Sequence, residues 1–238
     1  MSHPLSDPPA HPAPELARRL NLLLLVLYGL GVTVGAGIYV LIGEIAGRAH
    51  MFTPYAFLFA GLVIAPTTYS FAILVTRFPV SAGEARYVEE GFQLRSLGIL
   101  VGLLVASAGI VSSATISVGS VGYVQAFLPL PPAVLIVGFI LGFTGLAILG
   151  IKESVIFAAT ITVLEVGALL ALIAGGIWVA PGVVWDGMAI PVAHLDLHAF
   201  GLIASASALA FYAFIGFEDM VNVAEEVEAP EKTFPPAI

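Results

Sequence analysis

The 238-residue sequence has no cysteine, few charged residues and very few basic ones. Without cysteine, disulfides, thiolate catalysis and cysteine-ligated metal sites are excluded. The 8 lysines and arginines form no basic patch, which excludes nucleic acid as a partner. The sequence also lacks a nucleophile–base set, and Gly35-Ala36-Gly37 lacks the strand and third glycine of a dinucleotide-binding loop. We therefore predict a protein that is not an enzyme and has no cofactor or metal site.

What the sequence does contain is apolar. Hydrophobic residues make up 59% of the chain and charged residues only 10%, and the mean hydropathy is +1.04. Soluble domains contain about 25% charged residues. The composition therefore predicts an all-α integral membrane protein whose main partner is the lipid bilayer.

Six apolar segments are long enough to cross a hydrocarbon core of about 30 Å. They form a predicted transmembrane domain over 22–238 that follows a disordered, proline-rich tail over 1–21. Polar loops are predicted at 76–96 and 181–197, and a polar tail at 224–238. The predicted spans are 22–46, 54–75, 97–128, 133–151, 154–180 and 198–223.

The basic residues predict the orientation of these spans. With six spans, seven of the 8 lysines and arginines fall on the side of the N-terminus, and only Arg48 falls on the other. Cytoplasmic loops are enriched in lysine and arginine. We therefore predict a multi-pass protein of the cell (inner) membrane with both termini in the cytoplasm.

The first span contains four glycines, Gly29, Gly31, Gly35 and Gly37. Each glycine inside a helix costs up to about 1 kcal/mol relative to alanine. One interpretation is that they only allow close packing between helices. The other, which we favour, is a break over 34–37 whose free backbone groups face protein or a polar cavity, because lipid cannot satisfy them.

A second interruption is predicted in the sixth span, where Phe214, Ile215, Gly216 and Phe217 precede Glu218 and Asp219. The alternative is that these acids simply mark the end of a helix. The first and sixth spans cross in opposite directions, and a pair of glycine-interrupted spans in two halves indicates a transporter's binding site. Helix N-termini suit a carboxylate and free carbonyls suit an ammonium group, so together they favour a zwitterion such as an amino acid.

Three motifs resemble those of the amino acid–polyamine–organocation (APC) superfamily. GVTVGAGIYV at 31–40 resembles its first-helix motif, FPVSAGEARYVEEGF at 78–92 the loop between helices two and three, and FYAFIGFEDMVNVAEEVEAPEKTFPPAI at 211–238 its sixth helix and following loop. The resemblance implies the leucine-transporter-like inverted-repeat fold and secondary transport of an amino acid or related amine. Family members have ten to fourteen spans, so we expect a truncated form, with the first five-helix repeat plus helix six, completed by a second chain or a C-terminal half.

The resemblance also implies roles for individual residues. The backbone of the first break would hold the carboxylate and amino groups of the substrate, and helix six would line the site, with Phe214 or Phe217 as a lid. Glu218 matches an acidic position that is linked to proton coupling in relatives. The predicted substrate-binding residues are Thr33, Val34, Gly35, Ala36, Gly37, Phe211, Ala213, Phe214, Gly216 and Phe217.

A second acid, Glu165, lies near the middle of the fifth span. Ionisable residues at that depth are costly, and they are functional or paired. Glu165 is therefore either a proton site or a partner in helix packing. We predict H⁺-coupled transport by alternating access, and the alternative is an exchanger or a nutrient sensor that uses the same site.

Overall fold

The computed structural model describes residues 18–188 and 196–238, and these residues are almost entirely helical. A single parallel bridge joins Leu20 to Val227. Short 3₁₀ helices occupy His50–Phe52 and Phe217–Glu226, and the latter is called the 217–226 segment below. The α-helices within the described residues are α1 Leu22–Ala49, α2 Thr53–Arg77, α3 Gly83–Phe92, α4 Arg95–Gln125, α5 Pro132–Leu149, α6 Ile151–Val179, α7 Pro181–Met188, α8 Leu197–Tyr212 and α9 Pro230–Ala237.

Within the described residues, six helical segments are long and apolar enough to cross a membrane, which confirms the prediction of an all-α membrane protein. Their bounds differ from the predicted spans in detail. The last one, predicted over 198–223, consists of α8, a turn and the 217–226 segment. The six segments are Leu22–Tyr39, Leu41–Arg77, Arg95–Gln125, Pro132–Leu149, Ile151–Val179 and Leu197–Glu226.

Two predicted loops contain helices instead. The loop at 76–96 includes α3, because Gly83 and Tyr87 lie one turn apart and bury one face of an amphipathic helix against the rest of the protein. The loop at 181–197 includes α7, whose first residue is Pro181. Proline favours that position because its fixed φ suits a helix and its missing N–H needs no partner there.

The two predicted tails also differ from the structure. Residues 1–17 of the N-terminal tail lie outside the described residues, but Leu20 is fully buried. The backbone N–H groups of Arg19 and Leu20 donate to the Glu226 carbonyl at 2.8 and 2.9 Å. In the predicted tail at 224–238, Val227 and Phe234 are fully buried. Burying an apolar side chain of this size is worth about 1.5–3 kcal/mol, which explains why both segments pack against the helices.

These contacts form the first core cluster, at the end of the bundle where α1 begins and α2 ends. Its side chains come from segments that are far apart in sequence, and Phe71, Phe78 and Tyr87 stack at its edge. The cluster thereby fixes the 217–226 segment against α1 and α3. Its buried members are Leu20, Leu25, Val75, Tyr87, Val155, Met220, Val221, Val223, Ala224, Val227 and Phe234.

The second core cluster holds α8 against α1 and α2 near the opposite end. Most of its members are alanines, which let helix backbones approach closely. The start of α8 is fixed by Asp196, whose Oδ1 accepts a hydrogen bond from the backbone N–H of Ala199 at 2.8 Å. The buried members are Ile45, Ala49, Phe52, Ala56, Ala60, Ala199, Ile203, Ala206 and Ala210. The two clusters together position the end of α8 beside the middle of α1.

Candidate functional site

The first interruption lies at Gly35, inside α1. Its backbone leaves the helical region, with φ −8° and ψ −143°, while the residues on either side remain helical. A Cβ placed on Gly35 would meet no atom within 4 Å, so this point of the backbone borders open space. The structure thus confirms the predicted break and narrows it to one residue.

The second interruption follows α8, which ends at Tyr212, and it closes with Gly216. Gly216 has φ +129°, which L-residues rarely adopt, and a Cβ there would lie 2.5 Å from the carbonyl oxygen of Val32. Glycine is therefore required at this position on both counts. The Glu218 carboxylate accepts a hydrogen bond from the Gly216 N–H at 2.8 Å and stabilises the turn.

The two interruptions are in direct contact. Gly216 lies against Val32, and a Cβ on Gly37 would lie 3.2 Å from the Cα of Ala213. The contacts on α1 thus lie two and three residues from Gly35, in the helical turns on either side of the first interruption. The sequence therefore brings two oppositely running helices together at the points where their hydrogen-bond ladders are disturbed.

The other two glycines of α1 serve a different purpose. A side chain on Gly29 would overlap Met220, and one on Gly31 would overlap the hydroxyl of Thr162. These positions allow the 217–226 segment and α6 to pack closely against α1. Both interpretations of the glycine-rich span thus apply, each to different glycines.

A cavity of about 550 Å³ lies beside the paired interruptions, between α1, α4 and the end of α8. Thr33 and Gly37 line it from α1, and Tyr212 and Ile215 line it from the second interruption. None of its described lining residues is an acid or a base. Six of its lining residues carry a hydroxyl group, namely Thr33, Ser112, Thr115, Ser120, Tyr123 and Tyr212.

The hydroxyls on α4 can act as acceptors toward the cavity. Thr115 donates to the Val111 carbonyl at 2.8 Å, and Ser120 donates to the Ile116 carbonyl at 2.7 Å. Because each hydroxyl has one proton, these bonds leave the lone pairs on oxygen available. The cavity thus combines helix backbone beside the first interruption with neutral oxygen acceptors, an arrangement that suits a small polar or zwitterionic solute.

The predicted aromatic residues lie on other faces of the second interruption. Phe214 and Phe217 line a separate cavity of about 230 Å³. Phe214 packs edge-on against Phe57 with ring centroids 6.5 Å apart, and Phe217 against Phe71 at 5.6 Å. Phe211 lines a third cavity, of about 350 Å³. The structure thus places neither predicted lid residue at the cavity that the two interruptions share.

Of the other predicted residues, Thr33 and Gly37 line the shared cavity, whereas Val34, Gly35, Ala213 and Gly216 are not part of its described lining. Ala213 is buried against Gly37, and Val34 is partly buried. The side chain of Ala36 lies outside what the structure describes. The sequence analysis missed Tyr123, Tyr212 and Ile215. A detectable signal was the recurrence of hydroxyl residues on α4 at helical spacing, Ser112, Thr115 and Tyr123 among them.

The two predicted proton sites lie on different sides of α1. Glu165 lines a cavity of about 520 Å³ between α1, α5 and α6, together with Tyr28 and Thr162. Its backbone carbonyl accepts a hydrogen bond from the Tyr39 hydroxyl at 3.3 Å. Among the described residues, neither Glu165 nor Glu218 has a basic partner within ion-pair distance. Only Glu218 contacts the interruptions directly.

Comparison with known proteins gives a match that spans almost the whole chain. The family model described as "Amino acid permease" matches residues 25–238. The vacuolar cationic amino acid transporter 2 of Arabidopsis thaliana is 32% identical over 93% of this chain and 38% of its own length. An uncharacterized transporter of Mycobacterium tuberculosis is 27% identical over 92% of this chain and 51% of its own.

A third relative is named for a different substrate. The methylthioribose transporter of Bacillus subtilis is 27% identical over 94% of this chain and 51% of its own length. The chain therefore spans 38% to 51% of the length of these three relatives.

Proposed function

The chain belongs to the amino acid permease family, and on that premise we propose that it forms the substrate-binding part of a secondary transporter for an amino acid or related amine. The observation that supports this most strongly is the contact between the two interruptions beside one hydroxyl-lined cavity. Neither feature would be needed in a bundle that only spans the membrane.

In this proposal the backbone binds the charged ends of the substrate. The carbonyls of Ala210, Phe211 and Tyr212 at the end of α8 accept turn hydrogen bonds at 3.0–3.3 Å, and their remaining lone pairs would accept hydrogen bonds from an ammonium group. The N–H groups that follow the interruption in α1 would bind the carboxylate. Because the described cavity lining is neutral, the hydroxyl groups contributed by α4 and Tyr212 would contact the side chain of the substrate.

We propose alternating access around the same two interruptions. Gly35 borders open space, and a hinge requires only a few residues that can absorb large changes in φ and ψ. The half of α1 that follows Gly35 would then move relative to the half that precedes it. The contact between Gly37 and Ala213 would transmit the movement to the second interruption.

For the coupling ion we propose H⁺, with Glu218 and Glu165 as the groups that take it up. The Glu218 carboxylate accepts the Gly216 N–H, and hydrogen bonds to a charged acceptor are about twice as strong as neutral ones. Protonation would weaken this bond and loosen the turn. Glu165 would take up a proton on the other side of α1, where the cavity that it lines reaches Gly31 and Val32.

We propose that the protein lies in the cell membrane with both ends in the cytoplasm. The distribution of basic residues supports this orientation, since Arg77, Arg86 and Arg95 all lie in or beside α3, near the start of α1. The chain's lack of cysteine makes a direct test simple, because single introduced thiols can be labelled from either side.

The test of coupling is uptake of labelled amino acids by the completed transporter reconstituted in proteoliposomes, with lysine, alanine and glutamate compared. We expect uptake to follow an imposed pH gradient. Glu218→Gln and Glu165→Gln should lose the gradient-dependent part but retain counterflow, because exchange does not require net proton movement. Glu44→Gln is the matched control, since Glu44 forms an exposed ion pair with Arg48 near the end of α1.

Two results would contradict the proposal. Uptake driven equally well by a Na⁺ gradient without a pH difference would exclude proton coupling. Equal behaviour of the Glu218→Gln and Glu44→Gln variants would exclude Glu218 as a coupling group.

A further inference from the structure

Helix α3 and the 217–226 segment form an interface that is rich in carboxylates. With the Asn222 amide oriented to satisfy its neighbours, its nitrogen donates to the Glu84 Oε2 and to the Ser81 carbonyl, both at 3.2 Å. The Ser81 backbone N–H donates to Glu225 Oε1 at 3.2 Å, and its hydroxyl lies 3.5 Å from Glu226 Oε2. The residues before and at the start of α3 are thus bonded to the segment that leads directly from the second interruption.

This interface contains several acids and no observed basic partner. Among the described residues, ion pairs join only Arg48 to Glu44 and Arg86 to Glu90, so none involves the acids of the interface. Glu84 from α3 lies near enough to Asp219 and Glu218 of the 217–226 segment for their charges to repel its own. Tyr28 from α1 faces the same segment on the side of Asp219 and Glu226.

A buried hydroxyl lies at the same junction without a partner. The side chain of Tyr87 is 8% exposed, and its hydroxyl has no hydrogen-bond partner in the described structure. That oxygen lies 3.1 Å from the position of a Cβ on Gly83, the residue before Glu84. A buried polar group without a partner costs about 1–3 kcal/mol, and a protonated neighbouring carboxyl is a donor that could satisfy it.

We propose that Glu84 is a proton-operated latch: when it is protonated, α3 closes on the 217–226 segment, and when it is ionised, repulsion from Asp219 and Glu218 opens that interface. The latch depends only on contacts within the chain and therefore goes beyond the proposed transport function. Because Glu218 also binds the Gly216 N–H, opening of the latch would reach the second interruption directly.

The electrostatics of Glu84 agree with this assignment. Burial raises the pKa of its carboxyl above the ordinary value of 4.5; a backbone hydrogen bond opposes this, and the charges of Asp219 and Glu218 raise the pKa further. A group whose pKa is higher in the closed state stabilises that state below its ordinary pKa. The stabilisation is lost as the pH rises through the raised value, so the interface should loosen above about pH 4.5.

The experiment measures access to Val221, which is fully buried where α3 covers it and lies against Gly83. The chain has no cysteine, so Val221→Cys introduces a single thiol. Its rate of maleimide labelling is followed from about pH 5 to about pH 8 and divided by the rate for Glu231→Cys, an exposed site on α9. Dividing by the rate at the exposed site corrects for the increase in thiol ionisation, and hence in maleimide reactivity, as the pH rises.

We expect the normalised rate to rise by about threefold or more across this range, because the closed state loses the stabilisation that protonated Glu84 gives it. Adding Glu84→Gln should abolish the rise and keep the rate at its acid value, because glutamine is neutral at every pH. Adding Glu90→Gln should leave the rise intact, since Glu90 lies on the same helix but pairs with Arg86.

A normalised rate that does not change with pH would overturn the latch, as would a rise that persists in the Glu84→Gln variant. Hydrogen exchange of the 217–226 amides in the unsubstituted chain and in Glu84→Gln provides a second measurement that needs no thiol. After correction for intrinsic exchange, the unsubstituted chain should lose protection as the pH rises and Glu84→Gln should not. The same pH dependence in both would contradict the proposal.

Discussion

The two interruptions differ in how they are held in place. Gly216 is enclosed: its φ is positive, the Val32 carbonyl lies where a side chain would be, and Glu218 binds its N–H. Gly35 is open: a side chain placed there would meet nothing within 4 Å. The protein therefore contains one interruption that packing and hydrogen bonding fix, and another that they leave free.

This difference separates a fixed part of the candidate site from an adaptable part. The second interruption is positioned by two core clusters and can serve as a reference for the bound substrate. The first can change its backbone angles at little cost in packing, because a Cβ on Gly35 would meet no atom within 4 Å. Movement during a transport cycle should therefore occur mainly in α1.

The largest effect is expected at the enclosed glycine. Gly216→Ala forces a Cβ against the Val32 carbonyl and a strained positive φ, and the φ alone costs about 1–3 kcal/mol. We expect a clear drop in Tm when unfolding is followed by tryptophan fluorescence in detergent. Gly201→Ala on α8 is the control, because its Cβ would meet nothing within 4 Å, and it should leave Tm unchanged or slightly higher. Equal Tm values for the two variants would show that the second interruption is not held as described.

A smaller effect is expected at the contact between the interruptions. Gly37→Ala would place a Cβ 3.2 Å from the Cα of Ala213, so the two backbones must separate by a few tenths of an ångström. We expect about a tenfold loss of affinity for the amino acid, or about 1.4 kcal/mol, with little change in Tm. Gly43→Ala, which meets nothing within 4 Å in the same helix, is the control for binding measured by calorimetry. Unchanged affinity in Gly37→Ala would show that this contact does not shape the site.

The sequence predicted those features that depend on local composition. Long apolar segments predict the six spans. The glycine cluster in the first span and Gly216 before Glu218 in the last predict the two interruptions, because these signals act within one helix. Gly29 and Gly31 could not be distinguished from Gly35 in this way. Their function depends on Met220 and Thr162, which approach from segments far away in sequence.

Features that depend on distant contacts were not predictable. Leu20 and Phe234 lie in stretches with the composition of tails, and only the surface they find on the folded bundle explains their burial. The sequence likewise did not determine which side chains of the second interruption face the shared cavity. The turn before Gly216 directs Ile215 to the shared cavity and Phe214 to a separate one. A rotation of the turn by one residue would reverse this arrangement.

The central claim, that the substrate occupies the cavity shared by the two interruptions, is tested most directly by protection of single thiols. Ile215→Cys faces that cavity, whereas Phe211→Cys faces another cavity on the same segment. We predict that a transported amino acid slows maleimide labelling of Ile215→Cys in a saturable way and leaves Phe211→Cys unaffected. Equal protection of both thiols, or protection of Phe211→Cys alone, would contradict the claim.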